Sequence, residues 1–443
     1  MDFLKQIALP QSASHISVLH FVLNFIYIIL VPFVSYLFGA LVLSLYYGRQ
    51  GRKRNDVQAL RFSKDVLDHV LPNKSILFLF GVIPYLALVF AYAQLLQGTS
   101  AISVGVLTWG AILFTAAAAF AASYHSALKI STVLEGVTLQ SDEAEGFRLQ
   151  AVETKRTSGK YALLFSIASV FLLIAGTTLA ANPANWETVS SVVGLVFSVD
   201  VLVRLLQFVM LSFAVTAVGT IYFTFSWEGG MKGISEEYAV YIRNKTLPLG
   251  LISIILLPLF VALTIILTPV SGLSGTVFGS AILAILFLFL ASHFVYGMIK
   301  NFQPTYAGNA FFLLIFVFLF VIVQETTTLS KATQKHSALL AFQFDRYHDE
   351  LLASMGISLS VISGEEIFSA KCSACHEFGQ KKVGPAYKDV LPKYENDKAK
   401  LVSFVLNPQK IDPAFPPMPN QGLKPAEADS IASYIITMYK QSK

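Results

Sequence analysis

The sequence predicts an all-α protein: an eight-span transmembrane helical bundle built as two four-helix repeats, with a small all-α domain at its C-terminal end. Three observations lead there. Of 443 residues, 55% are hydrophobic and only 13% are charged, about half the charged share of a soluble chain. The apolar residues gather in eight blocks, at 17–47, 75–97, 101–124, 161–182, 201–226, 248–268, 276–299 and 305–327. Each is long enough to cross a bilayer, for which about 20 residues suffice. The segment that follows is polar, lysine-rich and broken by prolines. Residues 1–328 therefore read as the membrane domain, 329–360 as a connector and 361–443 as the small domain.

The loops fix an orientation. The loop after the first block carries Arg49, Arg52, Lys53, Arg54, Arg61, Lys64 and Lys74. Those after the third, fifth and seventh are basic too, through residues such as Lys129, Arg156, Arg243 and Lys300. The alternate loops, near 98–100, 183–199 and 269–275, contain no Lys or Arg. Basic loops stay in the cytoplasm, so both termini are expected outside, in the periplasm of a bacterium, with the chain passing many times through the inner membrane. Met1–Ile16 has one basic residue, Lys5, and no small-residue cleavage site, and the first block is too long for a signal-peptide core. It reads as a retained span.

The spans repeat in order. The first opens Leu19-His20-Phe21-Val22-Leu23, the fifth Leu206-Gln207-Phe208-Val209-Met210. Leu71-Pro72 and Leu247-Pro248 precede the second and sixth, which contain Pro84 and Pro258. The third ends Ala122-Ser123-Tyr124-His125, the seventh Ala291-Ser292-His293-Phe294, and Tyr-Ala begins the fourth and eighth at Tyr161 and Tyr306. This pattern predicts parallel repeats, at about 17–182 and 201–328, related by a pseudo-two-fold axis along the membrane normal.

The connector reads as an amphipathic helix over 331–354, with Leu339, Leu340, Phe342, Phe344, Leu351 and Leu352 at helical spacing, on the periplasmic rim. Gly356 to Gly364 reads as a hinge. Beyond it stands Cys372-Ser373-Ala374-Cys375-His376, holding the only two cysteines of the chain. C-x-x-C-H is the attachment pattern of a c-type haem: two thiols add to its vinyl groups and the adjacent histidine meets the iron. A zinc site would need two further ligands at suitable spacing.

With its flanks, this segment resembles a class I cytochrome c over its whole length. The resemblance implies a first helix at Gly364–Lys371 crossing a C-terminal helix at Lys424–Lys440, with Gly364 and Phe368 at the crossing. Ile431, Tyr434, Ile435 and Met438 would form the stripe facing it. Cys372 and Cys375 become the thioether residues of one covalent haem c and His376 the proximal iron ligand. Gly384-Pro385 matches the family's loop whose proline carbonyl orients that histidine. Met418, between Pro417 and Pro419, becomes the distal ligand, which would raise the potential and close the iron to substrates. Lysines 371, 381, 382, 388, 393, 398 and 400 read first as a solvated face, and alternatively as a docking patch for an acidic periplasmic redox protein.

The first span, Leu19-His20-Phe21 through Val31-Pro32-Phe33, resembles the first helix of the large subunit of cytochrome bd oxidases, as does Arg204-Leu205-Leu206-Gln207-Phe208. The chain departs from that family: Tyr27 and Ile28 stand where a haem-ligating histidine would fall, the third span lacks acids, and only 269–275 replaces the long quinol-binding loop. Within the spans, Asp200 and Arg204 can pair at i, i+4. His20, His125 and His293 are candidate haem b ligands or quinone contacts, although interfacial histidines inherited by duplication are the preferred reading. The expected function is a membrane-anchored c-type cytochrome, an electron-transfer subunit of a respiratory bd oxidase-like complex. Its partners would be other membrane subunits, a periplasmic redox protein and lipid, with no nucleic acid. The alternatives are an oxidoreductase subunit in which b haems or quinone in the bundle exchange electrons with haem c, and a redox-linked transporter or sensor.

Overall fold

The computed structural model describes residues 11–134, 142–227, 233–355, 363–395 and 397–441. The first ten residues and the hinge expected before Gly364, up to residue 362, lie outside them. Two compact units emerge, 1–341 and 342–443.

Eight helices among the described residues are long and apolar enough to span a membrane. In chain order they are α1 (Ala13–Arg54), α3 (Ser75–Leu95), α4 (Ser103–Leu134), α5 (Asp142–Ala180), α6 (Val199–Phe225), α7 (Glu236–Leu267), α8 (Gly275–Lys300) and α9 (Pro304–Ala332), with a short amphipathic helix α2 (Val57–Val70) after the first. Each expected block falls on one of them. Several helices outrun their apolar blocks, because polar residues continue the helix once its hydrogen-bond ladder is established.

Local chemistry sets the ends. The Ser12 hydroxyl accepts from the His15 amide at the start of α1, and Asn55 takes a left-handed conformation at its end, φ 53°. Arg52, Lys53 and Arg54 fill the last turn, where the helix dipole favours cations. Asp56 then caps α2 through the Ala59 amide at 3.1 Å. The two Leu-Pro pairs behave differently. Leu71-Pro72 follows the end of α2, and the Asn73 carboxamide caps Ser75 at 3.1 Å. Pro248 instead lies inside the continuous α7. A proline removes one ladder bond without ending a helix whose neighbours hold it.

The packing is that of two equivalent four-helix rings. In the first, α1 touches α3, α3 touches α4, α4 touches α5, and α5 returns to α1. In the second, α6, α7, α8 and α9 repeat the cycle. The rings meet through α1–α6, α1–α9 and α5–α6. Exchanging the repeats maps α1–α9 onto α6–α5 and α1–α6 onto itself, as a pseudo-two-fold axis requires. Buried hydroxyls and amides stitch the helices: Tyr27 to Tyr92 at 2.7 Å, Ser44 to Tyr124 at 3.0 Å and Thr326 to Asn24 at 2.6 Å. Arg204 on α6 binds Asp200 at 2.7 Å, as its spacing suggests, and also Glu325 on α9.

Helix α10 (Gln334–Ser354) follows α9. Leu340 packs into the membrane unit's core, whereas Leu339, Phe342 and Leu351 remain exposed. The amphipathic stripe expected there is thus only partly used within the chain.

In the second unit, Ser363 and Glu366 form a reciprocal capping box for α11 (Gly364–Ile367), which runs on as one wider turn, Phe368–Cys372. It packs on α13 (Pro425–Gln441), which also contacts α12 (Lys398–Leu406). A Cβ on Gly364 would stand 2.4 Å from the Ser430 carbonyl and 2.5 Å from Tyr434 Cβ, so only glycine allows this approach. The Phe368 and Tyr434 rings lie 5.8 Å apart beside it. The buried face of α13 is Ala428, Ile431, Ala432, Ile435 and Tyr439, while Met438 stays half-buried outside it.

Replacing Arg204 by Met would strand two carboxylates in the membrane unit. The expected cost is about 3–5 kcal/mol, read as a lower unfolding temperature of the detergent-purified chain; an unchanged temperature would contradict the ion-pair account.

Candidate functional site

The second unit contains a cleft with about 1060 Å³ of empty space, lined among others by His376, Pro385, Tyr387, Lys393, Lys410, Met418 and Ile435. One tight turn builds its floor. The amides of Cys375 and His376 both donate to the Cys372 carbonyl, at 3.1 and 2.9 Å. Both thiols are unbridged, Cys372 buried and Cys375 half-buried. The Gly384 amide donates to the Cys375 carbonyl at 2.8 Å, and the Tyr387 amide to the Glu377 carbonyl at 3.0 Å. The Cys-to-His turn and the Gly-Pro loop are thereby sewn together.

That seam orients the imidazole. His376 Nδ1 lies 3.3 Å from the Pro385 carbonyl. A carbonyl only accepts, so Nδ1 carries the proton and Nε2 presents its lone pair. Burial pushes the His376 pKa down, against the opposing effect of the Pro385 bond, which favours the neutral ring that a metal needs. The Tyr387 ring stacks on the imidazole at 5.0 Å with 8° between planes. A Cβ at position 384 would stand 2.4 Å from the His376 ring, so glycine is needed there. Burial raises the Cys372 thiol pKa, with Lys371 pulling the other way.

The structure brings Cys372, Cys375, His376 and Pro385 into one turn-and-loop unit, and Met418 lines the same cleft as His376. The set fits a haem: two unbridged thiols three residues apart, a neutral imidazole fixed in one tautomer, a thioether, and an apolar wall including Leu391, Leu401 and Ile435. Several of the lysines expected as a patch are tied locally. Lys382 reaches the Ser373 carbonyl at 2.7 Å and Lys398 pairs with Asp429 at 2.7 Å, while Lys381 lies over the Phe415 ring.

The three membrane histidines are scattered. His125 is buried in the C-terminal half of α4, with Nε2 2.6 Å from Asp68 on α2. Burial works against the Asp68 charge, but His125, Lys64 and Lys129 hold its carboxyl well below the usual range. His293, its counterpart by sequence, is exposed on α8 with Phe294 beside it. His20 is half-buried near the start of α1, and neither ring nitrogen has a hydrogen-bond partner among the described residues. Two residues escaped the sequence reading. Tyr387 carried no signal, since its role is a tertiary stack. Glu325 did carry one: an acid inside the last apolar block is a marked residue.

A family model described as cytochrome C oxidase, cbb3-type, subunit III matches residues 360–435. Cytochrome c-551 of Pseudomonas denitrificans is 38% identical over 80 residues, covering 98% of that protein and 17% of this chain. Cytochrome c-552 of Hydrogenobacter thermophilus is 34% identical over 93 residues, 94% of its length and 20% of this chain.

Gly364→Val would force α11 and α13 apart at a cost of about 1–3 kcal/mol. Faster amide exchange along Pro425–Gln441 is expected; unchanged exchange would mean the helices do not cross tightly there.

Proposed function

We propose that this chain, which belongs to the cytochrome c family through its C-terminal domain, is a membrane-anchored electron carrier serving a respiratory complex at the periplasmic face. The observation that carries the reading is the His376 ring, locked onto the Pro385 carbonyl beside both cysteines, with Met418 lining the same cleft.

In this reading Cys372 and Cys375 would hold one haem c by thioether bonds, and His376 Nε2 and the Met418 sulfur would be the side-chain ligands of its iron. Such a group would supply reversible one-electron transfer. With a ligand from both His376 and Met418, the domain would pass electrons and leave bond chemistry to its partners. Tyr387 stacks on the imidazole, the missing side chain of Gly384 leaves room for it, and Pro385 sets its tautomer.

The membrane unit is the anchor and assembly platform. An even number of spans keeps both termini on one side, and the lysine- and arginine-free loops support the periplasm as that side. Helices α7, α8 and α9 have only 33%, 28% and 33% of their apolar windows buried within the chain, leaving apolar faces for lipid and neighbouring membrane subunits. The ring-and-axis arrangement accords with the bd oxidase resemblance of the first and fifth spans. The Asp68 bond of His125 and the exposure of His293 favour structural and interfacial roles over paired haem b ligation.

A redox titration of the purified chain is expected to show a single one-electron wave. In Met418→Ala its midpoint should fall, because thioether ligation raises the potential, and the ferrous form should bind carbon monoxide. An unchanged midpoint would remove Met418 from the iron.

A further inference from the structure

The membrane unit holds a cavity of its own. It lies where α1, α5, α6 and α9 meet and contains about 670 Å³ of empty space. These four helices carry the contacts between the two repeats, so the cavity sits on the inter-repeat seam. Its wall is mostly apolar, with Val31, Leu173, Phe208 and Ile322, and besides the Tyr27 and Thr177 hydroxyls it holds Arg204, Gln207 and Glu325.

Folding explains only part of this polar group. Arg204 is already neutralised by Asp200 at 2.7 Å. Glu325 adds a second carboxylate, bound to Arg204 through Oε2 alone. With both acids ionised the trio carries one surplus negative charge. Among the described residues nothing hydrogen-bonds Glu325 Oε1, and the side chain keeps 30% of its exposure. Gln207 follows Arg204 by three residues on α6, so it faces the same side. It is only 5% exposed, lines the cavity, and makes no side-chain hydrogen bond to any described residue. Its amide is not among the enclosed unpaired polar atoms but opens on the cavity, where a partner from outside the chain can meet it.

That partner has a defined chemistry. It must dissolve in the bilayer, offer a hydroxyl to a carboxylate oxygen, present an oxygen to an amide, and lie otherwise against hydrocarbon. A phospholipid phosphate is disfavoured by the surplus negative charge. We propose that this cavity binds the headgroup of a membrane quinol, Glu325 Oε1 accepting its O–H and the Gln207 amide donating to a ring oxygen. This gives the quinone alternative a location that uses none of His20, His125 and His293. It involves the membrane unit only and stands apart from the haem assignment.

Anaerobic calorimetric titration of the full-length protein with decylubiquinol tests it. Saturable binding of one quinol per chain is expected, weakened about tenfold in both Gln207→Leu and Glu325→Gln, the loss expected for one hydrogen bond to a buried or charged partner. Gln207→Leu breaks no bond within the chain, and Glu325→Gln leaves the Asp200–Arg204 pair in place. No saturable binding by the unsubstituted protein, or equal affinity in both variants, overturns the proposal. So does a tightly held phospholipid, seen by native mass spectrometry, that the quinol fails to displace. Haem content does not enter this readout, so failure here leaves the cytochrome assignment standing.

Discussion

The bond from His376 to the Pro385 carbonyl is the constraint around which the C-terminal unit is organised. It works because the two segments it joins are already tied through the backbone, by the Gly384 amide on the Cys375 carbonyl and the Tyr387 amide on the Glu377 carbonyl. A single donor on a flexible loop would leave the imidazole free to rotate. Here its tautomer, its plane and its free nitrogen are all set by the protein's own contacts. The Gly364 crossing serves the same end at longer range: by letting α11 lie directly on α13, it anchors the turn from which both cysteines and the histidine emerge.

The membrane unit follows a different physical logic. In hydrocarbon, burying apolar side chains offers little net gain, so helices associate through close packing and hydrogen bonds. The hydroxyl and amide contacts between α1 and its neighbours fit that rule. One of them, Thr326 to Asn24, crosses the seam between repeats, as does the pairing of Arg204 with Glu325. Three of the four helices around the seam cavity, α1, α5 and α6, have the best-covered apolar windows of the unit, at 61%, 56% and 61%, whereas α9 is among the least covered at 33%.

Much of this was legible in the chain. Long apolar blocks define spans without reference to tertiary structure, since the bilayer sets one length for all of them. The Cys372-to-His376 motif and the Gly384-Pro385 pair are local in sequence, so the turn and loop they form could be anticipated together. What escaped was tertiary or ambiguous. The Tyr387 stack on His376 depends on a loop returning across eleven residues. Leu247-Pro248 looked like the mate of Leu71-Pro72, but a proline can either end a helix or be absorbed by one, and local sequence does not decide which. Helical spacing put Met438 on the α13 stripe, yet the neighbouring Tyr439 occupies the core. Glu325 shows that an acid near the end of an apolar block is easily assigned to the interface when its partner, Arg204, lies 121 residues away.

The central claim is a single haem held covalently by Cys372 and Cys375. Intact-mass spectrometry of the denatured, purified chain tests it most directly. The account predicts a polypeptide heavier by one haem, with neither cysteine open to alkylation. A mass equal to the bare sequence, with both thiols alkylated, would contradict it.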